Sequence, residues 1–281
     1  MSSNTPKLLV VGTPIGNLGD LSPRAREALA EADLILAEDT RVAGKLFQLA
    51  DVQAGRMMSL FEHNEVKRCQ QVLELLHSGR TAALISSAGT PLISDPGYRI
   101  VRACRDSGFQ VVPIPGPNAP ITALMASGLP PYPCTFLGFL PRKKGEKRQS
   151  LLPYAELKTT LIFFERKSRL RETLEVAHSL FQDREACLAR ELTKQHEEFI
   201  LFRLGDASIE HLELRGELTV LIGPPEEWAA AGAAQVKDLI AGELALGGKP
   251  KDIVARVQKQ IHGWTPKDLY TLVVQLKDHS R

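Results

Sequence analysis

The chain has 281 residues, of which 43% are hydrophobic and 24% charged, and its formal net charge is +2. That is an ordinary composition for a globular protein, long enough for two modest cores, and two α/β domains are expected. The near-neutral balance excludes a uniformly basic nucleic-acid binder, so any such function must rest on local patches. Four cysteines, Cys69, Cys104, Cys134 and Cys187, form no Cys-x-x-Cys pair, which argues against a zinc site or a disulfide framework and fits a reducing compartment. The polar start Met-Ser-Ser-Asn-Thr-Pro-Lys lacks a signal-peptide core, and no apolar run approaches the ~20 residues needed to span a bilayer. The expectation is a cytoplasmic protein with no membrane contact and no metal.

In chain order, residues 8–11 form an apolar run that predicts a buried strand. Ser22-Pro23 is a helix start, with Ser as N-cap and Pro at the first helical position. Strands follow at 34–37, 57–61, 81–85 and 110–114, with helices at 65–77 and 98–106 between the later ones. This alternation predicts an α/β domain over 1–116. The turn Pro113-Ile-Pro-Gly-Pro-Asn118 can continue neither helix nor central strand and marks a boundary. A second α/β domain is expected over 117–224, with strands near 135–139, 160–164, 186–190, 198–204 and 217–222 and helices near 119–127, 146–156 and 168–181. Beyond Gly223-Pro-Pro225 the pattern is helical, giving a tail over 225–281 with a helix-turn-helix-like arrangement around His262-Gly263-Trp264. Phe47, Trp228 and Trp264 suit core or interface positions.

Unusual polar residues gather at strand ends. Residues 8–20 and 84–97 share one design: an apolar strand, then Gly-Thr-Pro, then a polar turn. Two such loops suggest one crevice outside the carboxyl ends of two strands, where open α/β sheets bind ligands. There is no Gly-x-Gly-x-x-Gly, no Gly-x-x-x-x-Gly-Lys-Ser/Thr, no His-Glu-x-x-His and no Gly-x-Ser-x-Gly. Glycine/proline loops without a phosphate-gripping lysine suit a ligand held by backbone groups and apolar walls, such as S-adenosylmethionine. Taken singly, each loop is better explained by tight-turn chemistry, and it is the pair that favours a cofactor.

Six strings in order carry a resemblance: Gly12-Thr-Pro-Ile-Gly-Asn-Leu18, Ala37-Glu-Asp-Thr-Arg41, His63-Asn-Glu65, Ala88-Gly-Thr-Pro-Leu-Ile-Ser-Asp-Pro-Gly97, Gly138-Phe-Leu-Pro-Arg-Lys-Lys144 and Arg190-Glu-Leu-Thr-Lys194. Together they resemble the tetrapyrrole-methylase superfamily and, within it, the bacterial 16S ribosomal RNA cytidine 2′-O-ribose methyltransferases. The resemblance implies two α/β domains with an S-adenosylmethionine cleft between them. It places Pro14, Gly89, Thr90, Pro91, Ser94, Asp95, Pro117, Asn118 and Ala119 along that cleft. It further implies methyl transfer to a cytidine ribose in the decoding centre of 16S rRNA, with free rRNA or the small ribosomal subunit as substrate, and a homodimer. This chain departs from the pattern at Ser87, where the family usually has Asp.

Ribose methylation needs a group that positions the 2′-hydroxyl and helps remove its proton. Glu38, Asp39, Arg41, His63, Asn64 and Glu65 stand at strand ends, with Asp39 the first candidate for base, Arg41 for holding a phosphate and His63 for a second base. Asp39-Thr40 and Asn64-Glu65 equally suit helix capping. Glu191 and Lys194 are further candidates from the second domain. For RNA, Arg142, Lys143, Lys144, Lys147 and Arg148 form a basic cluster, with Arg166, Lys167, Arg169 and Arg171 a second and Lys249, Lys251, Arg256, Lys259 and Lys267 a third. The competing readings are a methylase of a tetrapyrrole or other small molecule, and a non-catalytic RNA-binding assembly protein.

Overall fold

The computed structural model describes residues 5–206, 209, 217–225, 232–261 and 263–279. Trp228 and His262 lie outside the described residues.

Five parallel strands form the first sheet: β1 (Lys7–Val11), β2 (Leu34–Ala37), β3 (Arg56–Ser59), β4 (Ala82–Ile85) and β5 (Gln110–Ile114). Their spatial order is β3-β2-β4-β1-β5. β2 and β4 are buried at every position, which is why they read as unbroken apolar runs. Alternate side chains supply two cores. Leu9, Val11, Ile35, Ala37, Ala83 and Ile85 pack with helices α1 (Pro23–Glu31) and α2 (Thr40–Ala50). Leu8, Leu34, Leu36 and Leu84 pack on the opposite face with α3 (Glu65–His77) and α4 (Tyr98–Asp106). Each fully buried aliphatic side chain contributes roughly 1.5–3 kcal/mol, so this alternation fixes the register firmly.

The topology has one consequence for function. β1 and β2 send the chain to helices on one face, while β4, seated between them, sends it to the other. The loops therefore diverge at the carboxyl ends of these three strands and leave a crevice. The register aligns Ala37 with Ile85 and Val10 with Leu84, so Glu38, Ser86-Ser87 and Gly12-Thr13 all emerge at one level.

A second layered unit follows, with α5 (Ala119–Ala126), β6 (Cys134–Phe139), α6 (Lys144–Leu151), β7 (Thr160–Arg166), α7 (Lys167–Phe181), β8 (Glu185–Arg190), β9 (Glu198–Arg203) and β10 (Glu217–Ile222). Its sheet has the order β6-β7-β10-β8-β9, and only β6–β7 is parallel. Because β7 and β8 both run antiparallel to β10, the carboxyl ends of β6, β7 and β8 lie at one edge of the sheet. α6 begins at Lys144 and ends at Leu151, earlier than the helix expected over 146–156, and a 3₁₀ turn continues over Leu152–Tyr154. Pro153 accounts for the early stop, because it lacks an N–H and clashes with the preceding turn.

The tail folds as α8 (Ala233–Ala245), α9 (Pro250–Gln258) and α10 (Pro266–His279) around their own core of Val236, Ile240, Ile253, Val257, Leu269 and Val273. Trp264 packs on that core and Phe47 sits in a core of the first sheet, as expected for both. Among the described residues, no helix is long and apolar enough to cross a membrane, and no cluster of His, Cys, Asp and Glu could hold a metal.

Candidate active site

The first crevice is closed by direct contact between its loops. Thr13 N–H donates to the Gly89 carbonyl at 2.9 Å and Gly89 N–H returns a bond to the Thr13 carbonyl at 3.1 Å. The two Gly-Thr-Pro strings are thus stitched together, the threonine of the first to the glycine of the second. Thr90 Oγ1 donates to the Pro117 carbonyl at 3.0 Å, which ties the same loop to the turn after β5. Asn118 Oδ1 accepts from Ile121 N–H at 3.1 Å and caps α5.

Against this crevice stands the edge of the second sheet, and a cavity of about 510 Å³ lies between them. That volume is in the range of small-molecule sites. The first sheet contributes Ile15 after β1, Glu38 after β2 and residues 87–90 and 93–95 after β4, while α5 contributes its first turn. The second contributes Phe139, Phe164, Arg166, Glu191, Lys194 and Thr219, among others. Two close approaches seal the walls. A Cβ on Gly16 would lie 2.6 Å from Lys194 Cγ and 2.9 Å from the Leu192 carbonyl oxygen. Gly138 adopts φ +66° at a bulge in β6, and a Cβ there would lie 3.1 Å from Ser94 Oγ.

Backbone strain concentrates at this cavity. Leu92 (φ 72°), Ser94 (φ 68°), Glu191 (φ 50°) and Thr193 (φ 65°) hold left-handed conformations that branched or bulky residues rarely adopt. Ser94 and Glu191 line the cavity directly, and such strain persists only where surrounding structure enforces it.

The cavity's charged groups differ in how they are engaged. Ser87 Oγ donates to Glu38 Oε2 at 2.7 Å. Glu191 Oε1 accepts from Lys194 Nζ at 3.0 Å. Asp95 and Arg166 complete the ionisable lining.

Of the residues expected in the cleft, Gly89, Thr90, Ser94, Asp95, Asn118 and Ala119 line this cavity, and so does Glu191. Pro14, Pro91 and Pro117 flank it without forming its wall; they shape the loops whose neighbours do. Asp39, Arg41, His63 and Asn64 stand outside it. Asp39 Oδ1 caps α2 through Arg41 N–H at 2.9 Å, and its carboxylate pairs with the Arg41 guanidinium at 2.8 Å. The Arg41 side-chain hydrogen bond is the main cause that lowers the Asp39 carboxyl to about 2. Asn64 Oδ1 accepts from Phe61 N–H at 3.0 Å and its amide donates to the Ser59 carbonyl at 3.2 Å, so both ends fix a turn. Glu65 is buried and accepts from Gly97 and Arg99 N–H at 3.1 and 2.8 Å, capping α4 from α3. The capping alternative therefore holds for Asp39, on α2; Asn64 makes no side-chain cap on α3, and Glu65 caps α4 rather than the helix it begins.

The basic cluster after β6 also divides. Lys147 is fully buried, with Nζ on Glu172 Oε1 at 2.7 Å, so it cannot meet a phosphate; it is a packing residue of α6. Lys143 pairs with Glu146 at 3.0 Å, Lys144 with Glu175 at 3.6 Å, and Arg148 donates to Ser179 Oγ at 3.1 Å. Arg142 is exposed. Arg169 donates to the Leu140 and Pro141 carbonyls, both at 2.8 Å, and holds that loop in place. In the tail, Arg256 is committed to Glu243 and the Gly247 carbonyl.

Sequence reasoning did not anticipate Ile15, Ile93, Phe139, Phe164, Leu192, Leu218 and Thr219 as cavity walls. Phe139, Phe164, Leu218 and Thr219 sit on ordinary strands and Leu192 just after one, and the strand order brings them to the cavity.

A parallel sheet with a switch-point crevice, closed by the strand ends of a second mixed sheet, defines a two-layer methylase fold. The chain belongs to the tetrapyrrole (corrin/porphyrin) methylase family, which matches residues 7–208. It is 41% identical to the ribosomal RNA small subunit methyltransferase I of Mesorhizobium japonicum, over 98% of this chain and 94% of that protein. In structure it is similar to the methyltransferase CobJ, with a TM-score of 0.60, 22% identity and coverage of 81% of this chain and 97% of that one. It is also similar to a uroporphyrin-III C-methyltransferase from Thermus thermophilus complexed with S-adenosylhomocysteine, with a TM-score of 0.53, 19% identity and coverage of 78% and 97%.

Proposed function

We propose that this chain is an S-adenosylmethionine-dependent methyltransferase of small-subunit ribosomal RNA, acting on the ribose 2′-oxygen of a cytidine in the decoding centre of 16S rRNA. The observation that carries the reading is the cavity itself, together with near-full-length identity to proteins named for this RNA. Its donor set suits the cofactor. Ile15, Ile93, Phe139 and Leu218 offer apolar surface for a nucleoside, Gly89 and Ala88 expose backbone, and three carboxylates suit a cationic centre. Bound S-adenosylmethionine supplies the electrophilic methyl group.

The chain's own residues have the remaining tasks. Gly89, Thr90, Ser94, Asp95, Asn118 and Ala119 are the proposed cofactor contacts. Arg166 and Lys194, the cations of the cavity wall, suit the phosphates flanking the target ribose. Arg142, Lys143, Lys144 and Arg148 extend a basic surface beyond the cavity for more distant backbone contacts. A cavity carboxylate accepts the hydrogen bond of the 2′-hydroxyl and holds it in line with the methyl carbon. The proposed organisation is a catalytic pair of domains, 1–116 and 117–224, with the 225–281 tail as an RNA-facing accessory, working in the cytoplasm as a homodimer.

The small-molecule alternative is less well supported. The Mesorhizobium japonicum relative named for rRNA is matched over 98% of this chain, whereas the methyltransferase CobJ is matched over 81%. The test is incubation of the protein with methyl-labelled S-adenosylmethionine and small subunits lacking the modification. The expected result is label on a cytidine ribose of 16S rRNA. Cofactor binding without label in RNA would favour an assembly role, and label in a tetrapyrrole alone would favour the small-molecule reading.

A further inference from the structure

We infer that Glu38, held by Ser87, is the group that accepts the proton of the substrate hydroxyl, in place of the neighbouring Asp39. This rests on the methyltransferase reading above and assigns a residue within it.

Three observations carry it. Glu38 follows β2 and Ser87 follows β4, adjacent strands whose register pairs Ala37 with Ile85, so both side chains stand at the crevice. Both line the cavity, whereas Asp39 does not. Their contact is specific: the Ser87 hydroxyl donates to Glu38 Oε2 at 2.7 Å. A neutral donor fixes the carboxylate's position without cancelling its charge. Among the described residues, no lysine or arginine forms an ion pair with Glu38. Glu191 differs, because Lys194 pairs with it at 3.0 Å. Asp39 differs again, because Arg41 and the α2 N-terminus take its oxygens.

In the step itself, the ribose 2′-oxygen forms a bond to the methyl carbon as the carbon–sulfur bond breaks. The bonding pair stays on sulfur, and the hydroxyl proton passes to Glu38 Oε1, the oxygen that Ser87 leaves open. Solvent then removes that proton. Ser87 is a positioning residue, because it acts through Glu38.

The experiment compares wild type with Glu38→Gln, Glu38→Asp, Asp39→Asn and Ser87→Asp. Single-turnover methyl transfer to small subunits at saturating S-adenosylmethionine is read alongside calorimetric affinity for S-adenosylhomocysteine. General-base removal costs roughly 10²–10⁴-fold. Glu38→Gln is therefore expected to slow transfer by about 100-fold or more, with affinity for S-adenosylhomocysteine within about threefold of wild type, a change of less than ~0.7 kcal/mol. Glu38→Asp is expected to recover part of the rate, and Asp39→Asn to retain most of it. Ser87→Asp sets a second carboxylate against Glu38, and the acid limb of its rate profile should move to higher pH. The other ionisable cavity groups, Asp95, Arg166, Glu191 and Lys194, are the same in every variant.

A Glu38→Gln rate within threefold of wild type overturns the assignment. So does a loss of affinity for S-adenosylhomocysteine with the saturated rate preserved, which would make Glu38 a cofactor ligand. A wild-type protein that binds the cofactor but never labels RNA would instead defeat the methyltransferase reading, independently of Glu38.

Discussion

Two polar strings leave neighbouring parts of one sheet and meet different fates. The string after β4, residues 86–97, forms much of a cavity wall. In the string after β3, Asn64 fixes its own turn and Glu65 caps α4. Their residue types do not separate them, since His63-Asn-Glu65 is at least as suited to catalysis as Ser86-Ser-Ala88. Place in the sheet does. β4 is inserted between β1 and β2, and its chain leaves to the opposite face, so its loop borders a crevice. β3 is the edge strand, and of the groups that follow it Asn64 is taken by its own turn and Glu65 by the N-terminus of α4.

The same contrast separates Lys147 from Arg142 within one basic run, and it gives the largest expected effect. Lys147→Ala removes a fully buried side chain and should cost ~2–5 kcal/mol in urea unfolding, as large-to-small core changes do. Lys147→Met should recover most of that. If Lys147→Ala proves as stable as wild type, the buried placement is wrong and the residue returns to the RNA-facing set.

A smaller effect is expected at the edge string. Asn64→Ala loses two turn-fixing hydrogen bonds and should cost about 1–2 kcal/mol in the same assay, with cofactor affinity unchanged. Weakened affinity with stability intact would move Asn64 from the turn to the site. For the exposed cation, Arg142→Gln should reduce the slope of log affinity against log salt for rRNA by about 0.7–0.9 if it meets one phosphate. An unchanged slope would remove Arg142 from the interface.

Asp39 gives the smallest effect. Its folded carboxyl is lowered to about 2, chiefly by the Arg41 hydrogen bond. A lowered folded value means that its contribution is complete above the unfolded carboxyl range and is lost as pH falls toward 2. The stability difference between wild type and Asp39→Asn should therefore be flat from pH 5 to 8 and shrink below about pH 4. A difference that varies through neutral pH would contradict the Arg41 pairing.

Much of the fold was legible because burial imposes patterns that a sequence displays. β2 and β5 fall at the expected limits, as do α3 and α4, since unbroken apolar runs and 3.6-residue periodicity bound them. The Gly-Thr-Pro loops were legible as a pair because both follow strands. Glu38 was a candidate by strand-end position, but Asp39 ranked ahead of it. Adjacent acids in a sequence look alike until strand register gives one a serine from β4 and the other an arginine from its own helix. Of the second-sheet walls, Glu191 and Lys194 were candidates by their place after a predicted strand, but the apolar walls were not. Phe164 and Thr219 carry no local signal, because the mixed strand order alone gathers them.

The most direct test of the central claim is calorimetric titration of S-adenosylmethionine into wild type, Gly16→Val and Asn64→Ala. Valine at Gly16 would press on Lys194 and the Leu192 backbone at the cavity wall, whereas Asn64 belongs to the edge string. Wild type and Asn64→Ala are expected to bind alike, and Gly16→Val at least about tenfold more weakly, a change of ~1.4 kcal/mol. No binding by wild type, or weakened binding by Asn64→Ala with Gly16→Val unaffected, would contradict the placement of the cofactor in this cavity.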